Sequence, residues 1–149
     1  MIAIGGLAPD FTAPDEHGTP LTLSSFRGHP AVLFFFPKAN SMGCTVETRA
    51  FAERFAEFRA AGWTVIGVSV DPVAEQAKFA SKCRAEFPLV SDGDRSIARA
   101  YGVLGFLGMA RRVTFLLDAD GKVQEVVNAI TPTVHVTRTL ERLRAPTAK

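Results

Sequence analysis

The sequence predicts an α/β fold in which a central mixed sheet is flanked by helices, with a small β-hairpin added at the N-terminus. Three observations carry this expectation. The continuous apolar run AVLFFF at 31–36 and the segment TVIGVSV at 64–70 have the length and composition of buried strands. A segment of helical period follows each run, and strands alternating with helices imply parallel pairing. Late in the chain two extended segments meet across the turn DADG and a last helix follows, which adds an antiparallel edge.

Residues 7–23 (LAPDFTAPDEHGTPLTL) alternate short apolar pieces with Pro, Gly and Asp, the pattern of a small hairpin. Ser24 to Gly28 reads as one capped helical turn stopped by glycine. The first buried strand is AVLFFF, 31–36. After Cys44 the period changes. Phe51, Phe55 and Phe58 fall at i, i+4 and i+7 with Glu53, Arg54 and Glu57 between them, so an amphipathic helix runs to about Ala61 and closes at Gly62. TVIGVSV (64–70) is the second buried strand, and Asp71 is expected to cap the next helix, with Pro72 at its first position and its end near Cys83. FPLVSD (87–92) is a short extended piece and SIARAYG (96–102) a short helix ended by glycine. VTFLLD (113–118) and KVQEVVN (122–128) form a hairpin, and TVHVTRTLERLR (133–144) is a last amphipathic helix before a loose tail from about Pro146. No linker, repeat or low-complexity stretch divides the 149 residues, so one domain, 1–149, is expected to bury its own core. The order of elements is that of a thioredoxin-like fold with an N-terminal extension.

Composition narrows the function. The formal charge is +2 with no long basic run, which argues against nucleic-acid binding. The apolar runs are far too short to span a bilayer. The start MIAIGGLAPDF lacks the charged and long apolar regions of a secretory signal, so a cytoplasmic location is expected. Two cysteines are too few for a disulfide scaffold, and they and His17, His29 and His135 stand singly, without metal-ligand spacing. No metal or cofactor is implied, and the three histidines read as surface or structural residues.

Chemistry concentrates in FFFPKANSMGCTVETRAF, 34–51, where a strand gives way to a helix and Cys44 stands at the turn. A helix N-terminus presents unpaired N–H groups and a partial positive charge, and both favour a thiolate. The same N–H groups can hold an incoming oxygen. Ser41, three positions earlier, can place a hydroxyl beside the sulfur, and Pro37 stiffens the start of the loop. The alternative is a small apolar filler that happens to begin a helix.

Pro37-x-x-x-Ser41-x-x-Cys44 resembles the peroxiredoxin signature P-x-x-x-T-x-x-C, with serine in the threonine position. The blocks APDF (8–11), LSSFRGHPAVLFFFPK (23–38), GCTVET (43–48), VIGVSVD (65–71), FPLVSD (87–92), AYGV (100–103) and RVTFLLDADG (112–121) are similar to the PrxQ, or bacterioferritin comigratory protein, branch. The resemblance implies a thiol-dependent peroxidase that reduces hydrogen peroxide and organic hydroperoxides in antioxidant defence. Cys44 would be the peroxidatic cysteine, oxidised to a sulfenic acid. Arg112 would supply positive charge, and Glu47, one helical turn after the cysteine, would orient it. The N–H groups of Gly43 and Cys44, the Arg112 guanidinium and the Ser41 hydroxyl would hold the substrate. Without the resemblance Arg112, like Arg111, reads better as a solvated surface charge. Met42 replaces a proline common in the branch.

Many members carry a resolving cysteine five positions after the first, where this chain has Arg49. Others place it on the next helix, where Cys83 falls, implying a Cys44–Cys83 disulfide recycled by thioredoxin or a glutaredoxin-like reductant. Phe79 and Ala80 share the face of Cys83, so a buried filler stays open, and with it a one-cysteine cycle using an external thiol. A thiol–disulfide oxidoreductase of C-x-x-C type is disfavoured, because Ser41 stands in the first cysteine's place. A non-enzymatic thioredoxin-like binding module is the remaining alternative. The branch is often monomeric, with a dimer as the second expectation. The run VLGFLGM (103–109) fits a pocket-lining loop, a dimer contact or core equally well.

Overall fold

The computed structural model describes residues 1–145; the tail expected to be loose from about 146 lies outside them. Strand β3 (Ala31–Phe35) is the axis of the molecule. It is buried at every position, and its side chains alternate between two apolar clusters, one on each face of the sheet. Leu33 and Phe35 join Ile66, Val68, Tyr101 and Phe115 on one face, while Val32 and Phe34 join Phe51, Phe58, Phe79 and Phe87 on the other. Covering both faces is what demands the continuous apolar run.

The hairpin strands β1 (Thr12–Pro14) and β2 (Pro20–Thr22) pair antiparallel, and a short 3-10 turn, Leu23–Phe26, follows. The other strands are β4 (Thr64–Ser69), β5 (Leu89–Ser91), β6 (Val113–Leu117) and β7 (Val123–Asn128). With β3 they form a five-stranded sheet in the order β5-β4-β3-β6-β7, in which β4 runs parallel to β3 and β6 antiparallel to it. Helices α1 (Met42–Ala60), α2 (Val73–Cys83) and α4 (Pro132–Arg144) cover the phenylalanine-rich face, and α3 (Ser96–Tyr101) packs on the opposite one. Phe51 stacks on Phe34 with ring centroids 4.6 Å apart, which fastens α1 to the central strand. Among the described residues no helix is long and apolar enough to cross a membrane.

Two local expectations differ from what forms, and the open reading of 103–109 is narrowed. The helix after β3 starts at Met42 rather than after Cys44, with Ser41 at its N-cap position. Asp71 does not cap α2; Pro72 takes that position, and the Asp71 carboxylate instead accepts from the Ala39 N–H at 2.8 Å and the Ser69 hydroxyl at 2.6 Å. The run 103–109 divides: Val103 is buried, while Phe106 and Leu107 stand 90 % and 82 % exposed on a short 3-10 turn.

Candidate active site

The end of β3 and the start of β6 lie side by side because the two strands are antiparallel, with Phe35 opposite Val113. Two segments far apart in sequence therefore meet at one end of the sheet. One is the loop that leads into α1 and carries Cys44; the other begins with Arg112.

Cys44 is the third residue of α1 and is fully buried. The Thr45 N–H is the first to close a helical bond, onto the Ser41 carbonyl at 2.9 Å, so the N–H groups of Gly43 and Cys44 have no helical acceptor. Arg112 reaches over this helix start. Its Nη2 donates toward Cys44 Sγ at 3.5 Å and its Nη1 donates to Glu47 Oε1 at 2.7 Å. Gly43 permits the approach: a Cβ there would lie 2.9 Å from Arg112 Nη2. Glu47 is fully buried, and burial outweighs the neighbouring Arg112 guanidinium, pushing its carboxyl up to about 8. The geometry thus sets a cation and two open amides around one buried sulfur, an arrangement suited to a reaction that moves negative charge along a bond to sulfur.

The loop is tied down from outside. Asp71 at the end of β4 holds the Ala39 N–H, and Lys82 Nζ on α2 donates to Asn40 Oδ1 at 3.4 Å. Pro37 is half-buried where the loop leaves β3. The Ser41 hydroxyl, expected beside the sulfur, donates to the Lys38 carbonyl at 2.8 Å. Cys83, the last residue of α2, is a free thiol and only 3 % exposed. It belongs to the same apolar cluster as Cys44, and burial pushes its thiol up despite Arg49 and Lys82 nearby.

A family model described as the AhpC/TSA family matches residues 4–126. The chain belongs to the AhpC/TSA family. Peroxiredoxin Bcp of Escherichia coli K12 is 36 % identical over 129 residues, 82 % of this chain and 83 % of that one. The crystal structure of a peroxidoxin, BcpB, from Mycobacterium tuberculosis superposes with a TM-score of 0.91 at 38 % identity, over 99 % of this chain and 100 % of that one. A bacterioferritin comigratory protein of Xanthomonas campestris, described for its alkyl peroxide reduction activity, gives 0.84 at 33 % identity over 90 % of each chain. The chain is therefore a peroxiredoxin of the Bcp and PrxQ kind and a thiol-dependent peroxidase, with a hydroperoxide as oxidant and a thiol as reductant.

Behind Glu47 in this peroxiredoxin lie His135, expected to be a surface or structural residue, and Thr114, which the sequence did not single out. His135 on α4 is fully buried, so it is no surface residue. Its Nδ1 lies 2.8 Å from the Thr114 hydroxyl and 3.6 Å from Glu47 Oε2, and its Nε2 lies 2.7 Å from the Ala129 carbonyl. Thr114, on β6, is equally buried. A signal was present: Val136, Leu140 and Leu143 mark the inner face of α4 at helical spacing, and His135 stands beside Val136 on that face with Thr139 one turn on.

Proposed function

We propose that Cys44 is the attacking thiolate and that Arg112, held by Glu47, steadies the charge that moves during attack. The sulfur's electron pair attacks the terminal oxygen of R–O–O–H and the O–O bond breaks. Cys44 becomes a sulfenic acid, and the leaving alkoxide takes a proton from solvent to give the alcohol, or water from hydrogen peroxide. The single observation carrying this reading is the guanidinium that bonds Glu47 at 2.7 Å while facing the sulfur at 3.5 Å. The amides of Gly43 and Cys44, in the first turn of α1 without a helical acceptor, are further candidate donors. Pro37 and Ser41 act through the loop, Ser41 by its bond to the Lys38 carbonyl. Organic hydroperoxides join hydrogen peroxide as substrates, in keeping with the Xanthomonas relative's alkyl peroxide activity.

Cys83 then attacks the sulfenic sulfur, water leaves, and a Cys44–Cys83 disulfide forms. Two observations support the pairing: both thiols share one apolar cluster, and Arg49 Nη2 on α1 reaches the Lys82 carbonyl on α2 at 3.4 Å. The helix ends bearing the two sulfurs must open to bring their Cα atoms within about 7 Å. Thioredoxin or a glutaredoxin-like dithiol returns the pair to thiols, and a reducing cytoplasm suits such a cycle. The reading of one domain, 1–149, is supported within the described residues by the hairpin's Leu21, which joins the cluster of Leu33 and Phe35. The rival one-cysteine cycle has the depth of Cys83 in its favour.

Intact-mass spectrometry after one equivalent of hydrogen peroxide decides between them. A loss of two hydrogens mapped to Cys44 and Cys83 supports the disulfide, whereas oxygen on Cys44 with Cys83 free leaves the one-cysteine cycle. No change at either cysteine refutes the assignment of Cys44.

A further inference from the structure

We propose that His135 is a positioning residue of the peroxide-reducing site, sharing one proton with Glu47 across the 3.6 Å between Nδ1 and Oε2 and thereby setting how much of Arg112's charge is left for the sulfur. The inference rests on Cys44 and Arg112 being the reacting pair. Its basis is an accounting of donors and acceptors in a closed space.

His135 Nε2 faces the Ala129 carbonyl, which can only accept, so Nε2 carries a hydrogen. A neutral ring then offers Nδ1 as a bare acceptor, used by the Thr114 hydroxyl at 2.8 Å. Glu47 Oε2 is fully buried and has no hydrogen-bond partner among the described residues, yet the same Nδ1 is what it faces. Two bare acceptors at this distance repel. One proton between them removes that repulsion: on Oε2 it leaves a neutral pair with Thr114 donating to Nδ1, and on Nδ1 it makes an ion pair across 3.6 Å with Thr114 accepting instead.

The other groups facing the pair are Arg112, from the start of β6, and beyond it Cys44 on α1. Burial pushes Glu47 up and holds His135 below its ordinary range, so the pair retains one proton through neutral pH and does not readily take a second. With that proton present, Glu47 and His135 together are neutral and Arg112 keeps its charge for the sulfur. When it leaves, a full carboxylate draws on the guanidinium from behind, and the field at the sulfur weakens.

Stopped-flow peroxide reduction across the pH range tests this in the wild type and in His135→Phe and His135→Asn. The wild-type rate should fall about tenfold as the shared proton is lost, because a misplaced or weakened charge at this distance costs ~10–100-fold. His135→Phe should be about tenfold slower at neutral pH and move that alkaline fall to a different pH. His135→Asn, whose amide N–H can still reach Oε2, should recover most of the rate. An equal, uniform slowing in both variants with the wild-type pH profile retained overturns the proposal. Should the variants not fold, imidazole 15N spectra of the wild type and of Glu47→Gln decide. The proposal expects the Nδ1 signal to titrate and the substitution to move that titration; an Nδ1 indifferent to both pH and Glu47→Gln overturns it. The spectra need no turnover, so a chain inert toward peroxide would refute the proposed function separately.

Discussion

Replacing Arg112 by methionine keeps an aliphatic stem and deletes the guanidinium, and the structure assigns the damage to two different measurements. The first is rate. Nη2 stands 3.5 Å from the Cys44 sulfur, and removing one donor aimed at developing charge costs about 10²–10³-fold, or roughly 3–4 kcal/mol. The second is stability. Glu47, fully buried, loses its partner at 2.7 Å, and a buried charge stripped of its partner costs about 3–5 kcal/mol. Glu47 need not stay charged, however. Burial has already pushed it up to about 8, so near neutrality it already carries a proton and the loss is about 1–2 kcal/mol, the larger figure applying only at higher pH. Adding Glu47→Gln to Arg112→Met should remove most of that loss without restoring the guanidinium. Urea unfolding followed by the single tryptophan, Trp63, measures one quantity, and stopped-flow reduction of hydrogen peroxide the other. The double variant should unfold within about 1 kcal/mol of wild type while remaining at least ~100-fold slow. A double variant that reduces peroxide within about threefold of wild type would refute the reasoning, since Arg112 would then serve only to neutralise Glu47.

Three further outcomes are expected. The folded Glu47 carboxyl stands above its ordinary 4.5, so its contribution to stability is complete below that value and is lost as pH rises through about 8. Unfolding free energies taken from about pH 6 to about pH 9 should therefore decline, and Glu47→Gln should flatten the decline. Gly43→Ala places a methyl 2.9 Å from Arg112 Nη2; peroxide reduction should slow by about 10–100-fold while the melting temperature holds, and a normal rate would show that Arg112 can work from elsewhere. Asp71→Ala strands the buried Ala39 N–H, which should cost about 1–3 kcal/mol in urea unfolding and slow peroxide reduction through a looser loop.

Most of the fold was legible because its signals are local. Ala31–Phe36 is apolar without interruption, Phe51 and Phe58 repeat at helical spacing, and Gly62, at φ +80°, ends α1's turn where a glycine was expected. The misreadings came from residues whose partners are distant. Asp71 before Pro72 has the local form of a helix cap, but an Ala39 N–H, 32 positions away, offers the carboxylate a buried bond, and tertiary demand prevails. Ser41, Met42 and Gly43 carry no helical pattern, so the true start of α1 went unseen. The residues around Cys44 suggested its chemistry on their own. Arg112 did not: it reaches the sulfur across 68 positions only because β6 pairs antiparallel with β3, and no local period encodes that register. His135 was hidden for the same reason.

On the proposed role of Cys44, its burial among Phe34, Phe36, Phe51 and Phe79 gives its oxidation a mechanical consequence. A thiol is at home in hydrocarbon, but the sulfenic acid it becomes carries a hydroxyl, and a polar group confined without full hydrogen bonding costs about 1–3 kcal/mol. Arg112 and the helix-start amides offer donors on one side only; the aromatic wall offers none. Each turnover thus leaves the sulfur in a place that no longer suits it, and the penalty favours unwinding of the first turn of α1 toward water. The chemical step supplies its own trigger. Hydrogen exchange at the first turn of α1 should therefore quicken after one equivalent of peroxide and slow again after reduction.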